Sequence, residues 1–210
     1  MAAVTIQSYS DLLSATASWL NRSDVDDQVP AFVTLAESQF NREMRVRDMM
    51  VRADATSDAE NVQLPDDWLE HYSLQLAPGG GGLFLEYLSE RASNQLKSSL
   101  QGTSGPVMGY TVIGNAIELI PAPGDNVDLK MVYYARIPSL STVVQANWLL
   151  SKSPDLYLYS TLLQAEPFLK NDDRLPLWAQ LRTALMEAIR MESEASLRPR
   201  SGFVARARPF

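Results

Sequence analysis

The stretch of sequence that decides the fold is residues 110–120, YTVIGNAIELI. Two runs of β-forming residues flank Gly114-Asn115, a pair typical of a two-residue hairpin turn, although Asn-Gly is the better-known order. Short apolar runs separated by turn residues continue on both sides, so we expect a β-rich region over about 50–135. Its predicted strands are 51–56, 62–64, 83–85, 110–113, 117–120 and 127–134.

Two short helical pieces are expected inside the β-rich region. One is predicted to begin at Pro65-Asp66-Asp67-Trp68, and the only histidine of the chain, His71, would lie within it. The other is predicted from Ser89 to Leu100.

Outside the β-rich region the apolar spacing becomes helical. Helices are predicted over 8–21, 27–48, 153–170 and 173–195. Ser8 or Ser10 can cap the first helix, and Asp11 suits the positive end of its dipole. Ser153-Pro154-Asp155 places a cap, a proline and an acid at the start of the third helix, and Pro167 is expected to kink or end it.

These patterns predict an α+β fold. The N- and C-terminal helices would form a helical bundle, with an antiparallel β-rich region inserted between them. Residues 1–195 are expected to be a single domain, and residues 196–210 an extended C-terminal arm. Periodicity stops in the arm, because the stretch LRPRSG at 197–202 cannot continue a helix.

Composition and charge narrow the function classes. The chain is 46% hydrophobic, contains no cysteine and has a formal net charge of −7. The acidic balance disfavours broad nucleic-acid binding, and no apolar run is long enough to cross a bilayer. Without a recognisable signal peptide, we expect a cytoplasmic protein or an assembly built there. The arm carries four arginines and no acid, which suggests docking on an acidic partner.

No set of catalytic, cofactor-binding or metal-binding residues emerges from the sequence. His71 has no second histidine with which to bind a metal. The doublets Asp26-Asp27, Asp66-Asp67 and Asp172-Asp173 each precede an apolar run, so helix capping and dipole complementation explain them better than paired catalytic carboxylates. Gly79–Gly82 is followed by LFL where a phosphate-binding loop needs lysine and serine or threonine, so a flexible turn is expected.

Two further clusters admit a functional and a structural interpretation. The aromatic residues could line a ligand pocket, but their helical spacing favours a packed core. They are Trp148, Tyr157, Tyr159, Phe168 and Trp178. The basic residues could face DNA or an acidic partner, but the interleaved Glu43 and Asp48 favour local ion pairs. They are Arg42, Arg45, Arg47 and Arg52.

Several stretches resemble a known family. They are ARIPSLS at 135–141, NWLL at 147–150, SPDLYLY at 153–159, AEPFLKNDDR at 165–174, WLNR at 19–22 and LPDD at 64–67. Together they resemble the head-to-tail adaptors of tailed bacteriophages, of the tail accessory factor type. The resemblance extends to about Glu194, is most specific between residues 135 and 174, and does not include the arm.

The resemblance implies a structural virion protein, not an enzyme. Such adaptors form a ring of twelve copies beneath the portal, join it to the tail nozzle or next neck protein, and surround the DNA channel. No sequence-specific DNA contact is implied. The expected location is the head-to-tail interface of a virion assembled in the host cytoplasm. We assign the portal contact to the arm residues Arg198, Arg200, Phe203, Arg206, Arg208 and Phe210.

Two other functions remain open from the sequence. One is a virion cell-wall (peptidoglycan) hydrolase that uses an acidic pair such as Asp66 and Asp67. The other is a monomeric ligand-binding module that uses the aromatic cluster. A ring adaptor with a docking arm is the hypothesis that the residues and the resemblance favour together.

Overall fold

The computed structural model describes residues 5–77, 82–101, 103–168 and 173–197. Its helices are α1 (Tyr9–Leu20), α2 (Val29–Glu43), α3 (Glu90–Ser99), α4 (Trp148–Lys152), α5 (Pro154–Gln164) and α6 (Leu175–Leu197). Its strands are β1 (Met50–Ser57), β2 (Asn61–Gln63), β3 (Trp68–Leu76), β4 (Glu86–Tyr87), β5 (Gly109–Ile113), β6 (Ala116–Ile120) and β7 (Val127–Ala135). The predicted α+β fold, with terminal helices and an inserted antiparallel β region, is confirmed.

The chain divides into two compact units. The helical unit consists of Met1–Asp48 and Ile137–Phe210, and the β unit is Met49–Arg136. The described part of the helical unit contains α1, α2 and α4–α6, and that of the β unit contains all seven strands and α3. None of the helices in the described residues has the length and apolar character that a bilayer-spanning segment requires.

The first helix begins and ends as its sequence predicts. The Ser8 hydroxyl accepts a hydrogen bond from the Asp11 N–H at 3.2 Å, and the Asp11 carboxylate accepts one from the Ser8 N–H at 3.0 Å. This reciprocal pair is a capping box, which satisfies two backbone donors at the helix start. Asn21 ends the helix in the left-handed region at φ 52°, a conformation that asparagine tolerates better than most residues.

The second helix is shorter than predicted. Pro30 lies in its first turn, as expected, but α2 ends at Glu43, whereas the prediction ran to residue 48. Met44 already has an extended backbone, and both Met44 and Val46 are fully buried. Residues two apart lie on one side of an extended segment but not of a helix. Burial of both side chains therefore accounts for the early end of α2.

The helical piece predicted at Pro65-Asp66-Asp67-Trp68 is wrong. Asp66 and Asp67 form a turn, and Trp68 begins β3, which pairs along its length with β7. Leu74 and Leu76 point into the core with the alternation of a strand. Pairing with β7 overrides the local start residues, because it joins backbone groups and buried side chains that are distant in sequence.

The C-terminal helices differ from the prediction at their ends. α5 has Pro154 in its first turn, although Ser153 makes no side-chain cap, and it ends at Gln164 rather than residue 170. A short 3₁₀ turn containing Pro167 follows, as expected for a residue without an N–H donor. The unpredicted α4 is capped by Asn147, whose side-chain oxygen accepts from the Leu150 N–H at 2.8 Å.

The β unit contains two sheets that enclose an apolar core. One sheet has the order β1-β7-β3 and the other β2-β6-β5-β4. The predicted hairpin joins β5 to β6, and Gly114 adopts φ +61° in its turn. The predicted strand at 83–85 is only an isolated bridge between Phe84 and Gln75, and β4 follows it. The core residues are Leu64, Leu74, Leu76, Leu85, Val107, Tyr110, Ile117, Leu119, Leu129, Met131, Tyr133 and Ala135.

Candidate docking surfaces

The predicted docking arm, residues 196–210, overlaps the end of α6, because Ser196 and Leu197 are helical. The last residue of α6 is Leu197, and residues 198–210 lie outside the described part of the chain. The assignment of the arm therefore stays a prediction. All six of its residues are affected, namely Arg198, Arg200, Phe203, Arg206, Arg208 and Phe210.

The helix that leads into the arm is fastened to the end of α2. The Glu43 carboxylate accepts from the Arg182 guanidinium at 2.7 Å, and the Glu43 carbonyl accepts from that of Arg190 at 2.9 Å. Further along α6, the Ser193 hydroxyl accepts from the Arg47 N–H at 2.8 Å. These contacts fix α6 to within about one turn of the residue from which the arm departs.

A lysine adds a second attachment in the same part of the helical unit. The Lys152 ammonium lies 3.0 Å from the Asp48 carboxylate and 3.2 Å from that of Glu192. The Lys152 ammonium thus links α4 to α6. It also links both helices to Asp48, the last residue of the first chain segment of the helical unit. The point of departure of the arm is held by several chain segments rather than by α6 alone.

A buried polar network holds the loop between residues 137 and 147. The Glu37 carboxylate is 3% exposed and accepts from the Leu140 N–H at 2.8 Å and the Tyr157 hydroxyl at 3.2 Å. The Asn147 amide donates to the Tyr157 oxygen at 2.6 Å and to the Pro138 carbonyl at 2.7 Å. Both ends of the loop are thereby held by hydrogen bonds to the network formed by Glu37 of α2 and Tyr157 of α5.

Burial sets the protonation behaviour of this network. Loss of hydration raises the pKa of Glu37 above its usual value, although hydrogen bonds from the Leu140 N–H and Tyr157 favour the charged form and oppose the shift. The pKa of Tyr157 is also raised, first by burial and then by the nearby Glu37 carboxylate. Buried polar groups of this kind are tolerated because they are hydrogen-bonded.

The same loop presents an apolar tip to solvent. Its backbone is attached by the Ile137 N–H, which donates to the Asn41 side chain at 2.9 Å, and by the Gln145 carbonyl, which accepts from the Tyr9 N–H at 2.6 Å. At the tip, the Ser141 N–H donates to the Val144 carbonyl at 2.9 Å, and Val143 is 89% exposed. An ordered loop thus carries an exposed branched side chain.

The Glu37 network is the feature that sequence inspection missed. Asn147 and Tyr157 lie in the stretches that carry the family resemblance, and Tyr157 was predicted only as part of the aromatic cluster. One signal was present, because Glu37 interrupts the apolar spacing of α2 between Val33 and Phe40. A charged residue within a buried stripe indicates a satisfied internal partner.

The first two acidic doublets do not cap α-helices. Asp26 and Asp27 lie in a 3₁₀ helix before α2, whose cap position is Gln28 without a side-chain hydrogen bond. Asp67 accepts from the Tyr133 hydroxyl at 2.9 Å. Burial and this contact together raise the pKa of Tyr133 to about 12. Of the third doublet, Asp172 lies outside the described residues.

His71 lies in an aromatic stack. Its ring is parallel to that of Tyr87 at 4.3 Å and edge-on to that of Tyr110 at 5.9 Å. Desolvation, with Tyr87 as the second cause, raises the pKa of Tyr110 to about 12. Across the described ranges, no group of three or more His, Cys, Asp or Glu side chains is arranged to hold a metal ion.

The aromatic cluster packs within the helical unit. Tyr157 is fully buried against Phe40, with ring centroids 5.1 Å apart, and Tyr159 meets Trp19 edge-on at 5.9 Å. Trp178 is also buried. Phe168 lies 5.3 Å from Phe32 and Trp148 is half-buried. These contacts agree with the packed-core interpretation.

The remaining predicted features have local partners or lie on the surface. In the basic cluster, Arg45 donates to the carbonyls of Asn41 and Met44 at 2.8 and 2.6 Å, and Arg42 is exposed on α2. Arg52 is exposed on β1. In the glycine run, Gly82 has φ +65°, as a turn residue would. The other three glycines lie outside the described residues.

The comparisons with known proteins agree with the resemblance seen in the sequence. The family model for the SU10 adaptor protein matches residues 7–205. The match therefore includes both units and the first part of the arm. No curated protein matches the chain.

Proposed function

This chain belongs to the SU10 adaptor protein family, and from that premise we propose that copies of it form a ring beneath the portal of a tailed bacteriophage. Membership makes it a structural adaptor protein of the bacteriophage virion. The ring contains twelve copies in this proposal and joins the portal to the tail nozzle or next neck protein. It assembles in the host cytoplasm. The observation that carries the proposal is the family match over residues 7–205.

We assign the portal contact to the arm. Its arginines at 198, 200, 206 and 208 can form bidentate pairs with portal carboxylates, and Phe203 and Phe210 can add apolar contact. The hydrogen bonds from Arg182, Arg190 and Arg47 support this role, because they fix the helix from which the arm departs. A fixed departure point lowers the conformational entropy that must be lost when the arm docks.

The charge of the chain supports a ring through which DNA passes without being tightly bound. The arm carries four arginines and no acid, so the rest of the chain is more acidic than the whole chain, which has a net charge of −7. An acidic body repels the phosphate backbone, and no sequence-specific reading of DNA is needed for a channel.

Co-sedimentation with purified portal rings tests the arm. Deletion of residues 197–210 should leave a folded protein, by circular dichroism and thermal denaturation, that no longer sediments with portals. The double variant Arg206→Glu/Arg208→Glu should weaken attachment at least tenfold and make the remainder more sensitive to salt, because ion pairs are screened.

A charge-matched control separates the arm from net charge alone. The double variant Arg42→Glu/Arg91→Glu changes two exposed arginines, on α2 and α3, shifts the net charge by the same amount as the arm variant, and should leave sedimentation with portals unchanged. A truncated protein that still coats portal rings would contradict the role of the arm. Electron micrographs of the assembly would then show whether the chain still forms a ring through other surfaces.

A further inference from the structure

The β unit has one long strand edge that no described strand covers. β1 pairs with β7 in unbroken register from Met50 opposite Tyr134 to Ser57 opposite Val127. On its other side, no strand pairs with it within the described ranges. An edge of eight regular residues exposes a row of backbone donors and acceptors, and proteins usually shorten, bulge or cover such edges.

The other sheet edges are protected in these ways. β2 has three residues and β4 has two. β3 has two irregularities in its register with β7, and its far end is covered by the segment 83–85. There the Leu76 N–H donates to the Leu83 carbonyl at 2.9 Å, and the Leu85 N–H donates to the Leu74 carbonyl at 2.9 Å. Among the described strands, β1 is therefore the sheet edge that is long, regular and uncovered.

An apolar groove runs beside this edge. The inward face of β1 carries Ala53 and Ala55, opposite Met131 and Leu129 of β7. Two small side chains leave the core incompletely covered at this side, where the structure has a cavity of about 210 Å³. Its walls include the core residues Leu64, Leu74, Ile117, Leu129 and Met131. The volume is enough for one large apolar side chain.

Charge identifies the kind of segment that fits the edge. Residues 49–136 contain eleven Asp and Glu against five Lys and Arg. Near the Ser57 end of the edge, Asp54, Asp58 and Asp128 are exposed, although Lys130 lies across from Asp54. A strand that places bulky apolar side chains inward and basic side chains outward would complement both faces.

The C-terminal arm has this alternation. Phe203, Ala205 and Ala207 alternate with Val204, Arg206 and Arg208. Thirteen residues follow Leu197, and an extended chain of that length reaches about 45 Å. We propose that residues 203–208 of one copy add as a strand to the β1 edge of a second copy, with Phe203 in the groove. Strand addition uses backbone hydrogen bonds for affinity and pockets for alternate side chains for specificity.

This inference rests on the proposed function only in taking residues 198–210 as a docking segment. The neighbour's β1 edge then holds the arm before a portal is present, and the portal displaces it afterwards. The exposed edge would be covered during assembly, and each arm would link two copies of the ring.

Engineered cysteines provide a direct test, because the chain contains none of its own. Full-length Ala55→Cys protein is mixed with full-length Ala205→Cys protein and oxidised mildly. We expect a disulfide-linked heterodimer on a non-reducing gel, recognised by the linked peptides from positions 55 and 205 in mass spectrometry of the dimer band, because directly opposed strand residues place their Cβ atoms within disulfide reach. Since the two cysteines are on different chains, this product reports contact between copies. Phe203→Cys and Ala207→Cys extend the test if the register differs, and Ala53→Cys replaces Ala55→Cys if that variant fails to fold.

Side-chain direction supplies the matched control. Val204→Cys would point away from the groove and should give at least fivefold less heterodimer with Ala55→Cys. Portal rings added before oxidation should lower the yield from Ala205→Cys. Equal yields from positions 203 to 207, or no product from any inward pair, would overturn strand addition. Portal sedimentation of the same variants would still report separately on the proposed function.

Discussion

The helical unit and the β unit differ in how each one closes its core. The helical unit buries a carboxylate, Glu37, and satisfies it with donors from Leu140 and Tyr157. The main buried cluster of the β unit is apolar except for the hydroxyls of Tyr110 and Tyr133, and at β1 it is left incomplete beside two alanines. One unit uses buried polar groups to fix a loop, and the other leaves an edge that a further strand could complete.

The difference has a physical consequence for assembly. A fully satisfied buried network specifies one conformation, because every alternative leaves a polar group without a partner. An uncovered strand edge does the opposite, since its backbone groups accept any extended segment that fits. A structural adaptor benefits from a unit that holds its shape, and an uncovered edge is the kind of surface that the proposed strand addition requires.

The largest expected effect tests the core of the helical unit. Phe40 is fully buried and its ring contacts Tyr157. Phe40→Ala should lower the free energy of unfolding by about 3–5 kcal/mol, because lost burial and a cavity both contribute. Urea denaturation followed by circular dichroism measures the change. Phe168→Ala, at a ring that is 42% exposed, should cost less than half as much, and equal losses would contradict the prediction.

The next effect tests whether Glu37 distinguishes the two units. Glu37→Ala should cost about 1–3 kcal/mol, because the Leu140 N–H loses its acceptor inside the protein. Denaturation at pH 7 measures this cost. Glu187→Gln, on the exposed surface of α6, is the control and should stay within about 0.5 kcal/mol of the wild type. A Glu37→Ala protein as stable as the control would show that the buried network does not stabilise the helical unit, and the contrast between the two units would lose this difference.

The pH dependence of stability follows from the same carboxyl. Burial raises the pKa of Glu37 in the folded state, so the folded protein binds this proton more tightly than the unfolded chain. The stability that Glu37 contributes is therefore fully present below its unfolded pKa and decreases as pH rises through the folded value. Subtracting the unfolding free energies of Glu37→Gln from those of the wild type at each pH should reveal this decrease. A flat difference would refute it.

The smallest effect concerns a turn of the β unit. Gly114 has φ +61° in the hairpin between β5 and β6. Gly114→Ala should cost about 1–2 kcal/mol, because a Cβ atom is strained in the left-handed region even where space is available. Gly124→Ala is the matched control, since nothing lies within 4 Å of its added Cβ and its φ lies outside that region. Thermal denaturation of both variants should show a loss for Gly114→Ala alone.

Sequence inspection succeeded where neighbouring residues decide the structure. The cap of the first helix, for which Ser8 was one of two predicted residues, and the hairpin at Gly114 both depend on contacts within a few residues. The alternation of β7 was also visible, because its inward residues are apolar along the whole strand.

It failed where distant residues decide. Trp68 to Leu76 resembled a helical start but became a strand, because β7 pairs with it along its length. α2 ended early because Met44 and Val46 are both buried. The groove beside β1 could not be predicted, because two alanines in a strand do not indicate how much of the space next to them other side chains fill.

By itself, the sequence determined the α+β class, the position of the β-rich region between the terminal helices, the basic charge of the arm and the family of this adaptor. These properties are set by local periodicity and by residue chemistry that needs no partner. Only the tertiary structure decided which strand edge is left uncovered, where the groove lies and why Glu37 can be buried. Each of these depends on surfaces brought together from distant parts of the chain. Burial at such surfaces changes the free energy of a charged group, and the residue type alone does not show whether the group is buried.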